Sequence, residues 1–124
     1  MKGYRDVQVV ATERPLDAVA RRWHSTPVCV ELTPTAEPLT TFVHPEHAVY
    51  VFGPEDGHVS QAYRAQCHRF VFIPAHHCLN LAAAVNVVLA HRAMQRQAIG
   101  ASDIWSPAVT EHRGAIDVPG WEGR

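Results

Sequence analysis

Short β-branched and aromatic runs alternate along this chain with stretches of helical spacing, and turn residues punctuate them. Residues 7–11 (VQVVA) read as a first strand, followed by a turn in which Thr12 precedes a helix over residues 15–23, with Pro15 tolerated in its first turn. Residues 27–32 (PVCVEL) form a second strand, ended by Thr33-Pro34-Thr35. Residues 39–47 are irregular, with room for one helical turn. Ala48–Phe52 (AVYVF) is apolar on both alternating faces and predicts a central strand of a parallel sheet, covered on both sides. Gly53-Pro54-Glu55-Asp56-Gly57 breaks it, a helix over residues 59–65 follows, and residues 69–73 (RFVFI) make another buried strand stopped by Pro74. After a polar loop over residues 75–78, Asn80 is placed to cap a helix over Leu81–Ala98. Its expected apolar stripe is Leu81, Val85, Val88 and Leu89, with Arg92 and Arg96 complementing the dipole near its C-terminus and Gly100 as its stop.

Strands alternating with helices predict an α/β fold with a mostly parallel sheet and flanking helices. Four expected strands form a narrow sheet, and a second copy of the chain is the expected source of further cover. Residues 1–100 read as one domain, and residues 101–124, with Pro107, Gly114, Pro119, Gly120 and Gly123 and no sustained periodicity, as a C-terminal tail.

Composition narrows the class. The chain has 124 residues, 47% hydrophobic and 19% charged, with a formal net charge of −1, as in ordinary globular domains. The longest mainly apolar run, residues 79–90, includes Asn80 and Asn86 and is shorter than the ~20 residues a bilayer requires. With no signal-peptide pattern after Met1, the expected location is the cytoplasm and no membrane partner is expected. Cys29, Cys67 and Cys78 are odd in number, lack CxxC spacing and have apolar neighbours, so reduced thiols are expected. Acids balance bases, which excludes a broad basic field; an RNA partner would be held by shape, by a local cluster or across a dimer.

Two loops carry candidate chemistry. Phe52-Gly53-Pro54-Glu55-Asp56-Gly57 leaves the C-terminal end of a strand, where open α/β sheets bind ligands, and its two glycines allow close backbone approach. Without a ligand the same residues make a plain strand-to-helix turn. Ile73-Pro74-Ala75-His76-His77-Cys78-Leu79-Asn80 is a second loop after a buried strand, leading into a helix whose N-terminal N–H groups suit an anionic group. Cys67-His68 with His76-His77-Cys78 supplies zinc-ligand types, but the two clusters flank a strand and fall roughly 15 to 20 Å apart. A Cys78 nucleophile lacks an oriented base in the sequence. His24, His44, His47 and His58 are scattered and read as solvated.

In this order and on these elements, the two loops resemble motifs 2 and 3 of the SpoU (TrmH) branch of the SPOUT RNA methyltransferases. Val51-Phe52-Gly53-Pro54-Glu55-Asp56-Gly57 is similar to the family's strand ending in F-G-P-E-x-x-G. Ile73-Pro74 and Cys78-Leu79-Asn80 are similar to its I-P followed by S-L/M-N, and Val30-Glu31-Leu32-Thr33 falls where the family has another strand end at the cofactor pocket. The resemblance covers residues 7–97 and is best over residues 48–92.

The resemblance implies a trefoil-knotted domain that binds S-adenosylmethionine and, as a homodimer, transfers its methyl group to a ribose 2′-OH of tRNA or rRNA. By position the implied cofactor contacts are Leu32, Gly53, Ile73 and Cys78, with Pro54, Pro74, Leu79 and Asn80 shaping the loops and Glu55 supporting the site. Arg64 and Arg69 are the implied contributors to an RNA surface. Two departures stand out: the family's motif 1, which carries its essential arginine, is expected upstream of the first strand, making this an N-terminally incomplete domain, and Cys78 replaces the motif 3 serine. The natural reading frame is accordingly expected to begin upstream. Within the chain, Arg5, Arg64, His76 and His77 are the candidate catalytic groups. The alternative reading is a non-catalytic SPOUT-like homodimer that binds cofactor or RNA without methylating it.

Overall fold

The computed structural model describes residues 9, 11–17, 24–77 and 79–100. Four strands form one all-parallel sheet: β1 (Thr26–Val30), β2 (Glu37–Pro38), β3 (Ala48–Phe52) and β4 (Arg69–Phe72), in the spatial order β2-β4-β1-β3. A 3-10 turn over Leu39–Thr41 follows β2, α1 (Gln61–Arg64) lies between β3 and β4, and α2 (Leu81–Ala98) follows β4.

Strand β1 is the pivot. Cys29 is paired in register with Val51 of β3 on one side and Phe70 of β4 on the other, and Pro27, Val28 and Cys29 are buried. Alternation of side chains then sorts the apolar residues into two layers. Val28, Val71, Leu39, Phe42 and Val88 form one buried cluster under α2, flanked by Val30, Ala48, Tyr50, Phe52 and Ile73. On the opposite face Cys29, Val59 and Cys67 pack with Val51, Tyr63 and Phe70 beside α1. Burying each such Val, Leu or Phe contributes about 1.5–3 kcal/mol.

The α/β class, the parallel sheet and the bounds of β3 and α2 agree with the sequence reading, and several details differ. Strand β3 lies at the sheet edge among the described residues, not in the centre. Its double-sided apolar pattern reflects packing on both faces, Tyr50 and Phe52 against one cluster and Val51 against the other. Two-residue β2 carries no periodic signal. The helix expected over residues 59–65 shrinks to the single turn of α1, whose N-cap Ser60 accepts a hydrogen bond from Tyr63 N–H. The strand expected over residues 7–11 falls mostly outside the described residues, and Val9 and Ala11 are not in a strand. Of the helix over residues 15–23, residues 15–17 are described and helical. The tail over residues 101–124 lies outside the described residues.

The inward face of α2 keeps Val85 and Val88 of the expected stripe but not Leu89. Val88 is fully buried, but Leu81 and Leu89 are 39% and 46% exposed. The residues on Val88's side of the helix are Ala84, Val85, His91, Arg92, Gln95 and Arg96, all at least partly buried, as the 3.6-residue period requires once Val88 faces the sheet. Arg92 therefore turns inward to donate to the carbonyls of Pro45 and Glu46, at 2.6 and 2.7 Å, instead of serving the helix dipole. Gln95 bridges the same segment, accepting from His44 N–H and donating to Phe42 O, both at 2.7 Å. His44, expected to be solvated, is 6% exposed and hydrogen-bonded to Tyr50 and His91 at 2.6 and 2.8 Å.

Candidate functional site

The C-terminal ends of β1, β3 and β4 lie side by side, and the three loops that leave them enclose a cleft of about 380 Å³. Its walls are apolar where the strands end, at Val30, Phe52, Phe72 and Ile73, and continue through Leu79, Leu81 and Ala84. The polar groups at its rim are Glu31, Glu55, His76 and His77. An apolar slot with few polar groups, at the carboxyl ends of parallel strands, is the usual form of a small-molecule site.

The loop after β3 folds tightly on itself. A Cβ on Gly53 would stand 2.8 Å from Val59 N and 3.0 Å from His58 C, and one on Gly57 would stand 3.1 Å from Pro54 Cγ. Glycine at 53 thus serves first the closure of residues 53–59 on one another, and only through it the cleft.

Glu55 reaches from this loop to the next. Its Oε1 accepts from Leu81 N–H at 3.3 Å, and Asn80 Oδ1 accepts from Ala83 N–H at 2.8 Å. The anionic group expected at the N-terminus of α2 is thus supplied by the chain's own Glu55, which ties the two loops together. Asn80 acts as the helix cap and does not line the cleft.

Of the residues singled out from the sequence, Leu32, Gly53, Pro54, Glu55, Ile73, Pro74 and Leu79 line the cleft together. Cys78 and Arg5 lie outside the described residues. His76 and His77 are exposed at the cleft, whereas Arg64 sits in α1 and does not line it. Arg69 pairs with Glu37 at 2.7 Å, lies 4.6 Å from the centre of the Phe42 ring and keeps its side chain 35% exposed. Cys67-His68 and His76-His77 sit at opposite ends of β4, as their spacing required. Cys29 and Cys67 are free thiols; burial first, then Cys67 and Glu31 beside it, pushes Cys29 up to about 12, and burial raises Cys67 as well. Both are therefore packing groups.

Sequence reasoning missed one pair. Glu31 Oε1 bonds His58 Nδ1 at 2.7 Å, and its Oε2 accepts from Val59 N–H at 3.0 Å. The signal lay in position: Glu31 directly follows β1, and His58 directly follows the turn that ends at Gly57. Beyond them, a second hollow shares Phe52, Gly53 and Pro54 with the cleft and is lined also by His58, Leu16, Val49, Val51 and Tyr63.

With this geometry in hand, the chain's relatives can be placed. Residues 2–90 match the model of the SpoU rRNA methylase family, and the chain belongs to that family. No match is found among curated proteins. The fold is α/β of the SPOUT type, and the class of protein is an RNA methylase. Among the described residues no helix is long and apolar enough to cross a membrane.

Members of this family use S-adenosylmethionine, and the cleft has the chemistry to hold it. The apolar strand ends suit a purine face, the Glu31 and Glu55 carboxylates suit the cationic sulfonium and ammonium groups, and His76 and His77 suit a carboxylate. The close packing at Gly53 leaves backbone, not side chain, as that part of the wall.

Proposed function

We propose that the chain is an S-adenosylmethionine-dependent RNA methyltransferase acting on a ribose 2′-OH of tRNA or rRNA, as a homodimer. The observation that carries this reading is the meeting of Leu32, Gly53, Glu55, Ile73 and Leu79 around one cleft at the ends of three parallel strands. These residues come from segments that are far apart in sequence. Bound there, S-adenosylmethionine supplies an electrophilic methyl group on a sulfonium sulfur. The protein's part is positioning: Glu55 fixes the second loop against the first, the strand ends exclude water from one face, and Glu31 and Glu55 place negative charge at the rim. Holding donor and acceptor in line is worth several kcal/mol of barrier, roughly.

The dimer is supported by α2. Its histidine and arginines face inward, whereas Ala82, Val87, Leu89, Ala90 and Met94 are exposed with no charged residue among them. An uncharged outer face beside a polar inner one is the reverse of a solvated surface helix. It suits a second copy packed helix against helix.

The test is calorimetric titration of S-adenosylmethionine into the chain, followed by methyl transfer to total RNA with analysis of the modified nucleosides. Saturable binding and 2′-O-methylated nucleosides are expected. Methylation on a base would overturn the ribose assignment, binding without transfer would favour the non-catalytic alternative, and absence of binding would remove the cofactor assignment.

A further inference from the structure

The Glu31–His58 pair is built differently from a surface ion pair. The Glu31 side chain is only 14% exposed, and both its oxygens are engaged, one by His58 Nδ1 and one by Val59 N–H. An ionised carboxylate only accepts, so the proton of this hydrogen bond belongs to Nδ1. In the neutral ring Nε2 then carries the lone pair. The backbone under the ring is held as well, because His58 C and Val59 N pack against Gly53 at the end of β3. The ring itself is 79% exposed, and no hydrogen bond among the described residues engages Nε2.

Location adds to orientation. Glu31 lines the cofactor cleft, His58 lines the neighbouring hollow, and Gly53 and Pro54 form the wall common to both. A nitrogen oriented by Glu31 thus stands beside the cleft, across the wall that Phe52, Gly53 and Pro54 share between the cleft and the hollow. The other candidates lack this: His76 and His77 are exposed at the cleft with no orienting partner among the described residues, and Arg64 lies away from it.

We propose that His58 is the general base of methyl transfer and that Glu31 is the positioning residue that holds its tautomer. The inference rests on the reading of the chain as a ribose methyltransferase. The hydroxyl oxygen gains the methyl carbon with loss of the carbon–sulfur bond, whose electron pair stays on sulfur. The hydroxyl proton moves to His58 Nε2 and then to solvent, and the transient imidazolium is stabilised by the Glu31 carboxylate. A ribose hydroxyl is a weak nucleophile, and an oriented base contributes about 10²–10⁴ in rate.

The tautomer is tested without turnover. In the full chain labelled with ¹⁵N-histidine, long-range nitrogen–proton spectra should show His58 protonated at Nδ1 and bare at Nε2. In Glu31→Gln the side-chain amide can donate to Nδ1 and reverse the tautomer. A wild-type His58 that carries its proton on Nε2, or averages between the two forms, overturns the proposal.

Turnover is tested with radiolabelled S-adenosylmethionine and total RNA. His58→Ala should lower the rate ~100-fold or more, keep cofactor affinity within about twofold, and recover part of the rate in added imidazole. Undiminished transfer by His58→Ala overturns the base while leaving the methyltransferase reading intact. Joint loss of rate and cofactor binding, without rescue by imidazole, assigns His58 to loop structure and overturns the base too. A wild-type chain that neither binds cofactor nor transfers methyl removes the underlying reading, and the inference with it.

Discussion

Glu55 Oε1 accepts a hydrogen bond from the backbone N–H of Leu81 at 3.3 Å, so a carboxylate in the loop after β3 closes the first turn of the helix after β4. Two walls of the cleft are thereby coupled. Glu55→Ala is expected to cost roughly 0.5–1 kcal/mol of stability, as for a carboxylate lost from an exposed helix N-terminus. It should also weaken S-adenosylmethionine binding, whereas Glu55→Gln, which keeps an acceptor oxygen, should retain most of both. Urea denaturation and calorimetric titration measure the two effects separately.

Gly53 and Gly57 frame the same loop but tolerate change unequally. The Cβ of Gly53→Ala would meet backbone atoms at 2.8 and 3.0 Å, which move only if the loop opens; that of Gly57→Ala would meet Pro54 Cγ at 3.1 Å, which a change of ring pucker relieves. Gly53→Ala should cost about 1–3 kcal/mol and abolish cofactor binding, and Gly57→Ala should lose markedly less of each. Equal effects of the two substitutions on denaturation midpoint and affinity would contradict this account.

Acid should loosen the packing of α2 through His44. Burial first, with His91, Arg92 and Arg69 adding to it, lowers its pKa from 6.5 to about 4. In that interval the unfolded chain binds the proton and the folded one does not, so the contribution of His44 is full above about pH 6.5 and declines as pH falls toward 4. At its largest this is about 3 kcal/mol. His44→Gln should flatten the pH dependence of stability between pH 4 and 6.5, as read from urea midpoints along a pH series, relative to wild type.

Arg92 holds the segment before β3 with a fork, donating to Pro45 O at 2.6 Å, Glu46 O at 2.7 Å and Tyr50 Oη at 3.1 Å. A lysine ammonium lacks the planar geometry to reach all three. Arg92→Lys should therefore recover less than half of what Arg92→Ala loses, and the alanine loss should be about 1.5–3 kcal/mol. Thermal denaturation of the two variants decides it.

The outer face of α2 is expected to carry self-association. Met94 is 64% exposed and makes no contribution to the buried clusters. Met94→Glu should leave the monomer folded by circular dichroism and convert dimer to monomer in sedimentation velocity at micromolar concentration. A wild-type chain already monomeric there would remove this role for the helix face.

Much of the local structure was legible in the sequence. The short, near-continuous apolar runs AVYVF and RFVFI predicted β3 and β4, and Asn80 and Gly100 bracket α2 where capping chemistry places its ends. The loops that wall the cleft were legible because Gly, Pro and the residues before them restrict backbone dihedrals locally. The burial of His44 and the pairing of the exposed His58 were not legible for the opposite reason: their partners, His91 and Glu31, lie 47 and 27 residues away in the chain.

The sequence by itself determined the α/β class, the bounds of β3 and α2 and the family, all of which follow from periodicity and short motifs within a few residues of one another. Only the tertiary structure decided that β3 sits at the sheet edge, that α2 turns its arginines inward and its uncharged face outward, and that Glu31 orients His58. Those outcomes depend on which strands pair and how layers pack across the sheet. That competition is settled by burial summed over the whole domain, to which no single segment holds the answer.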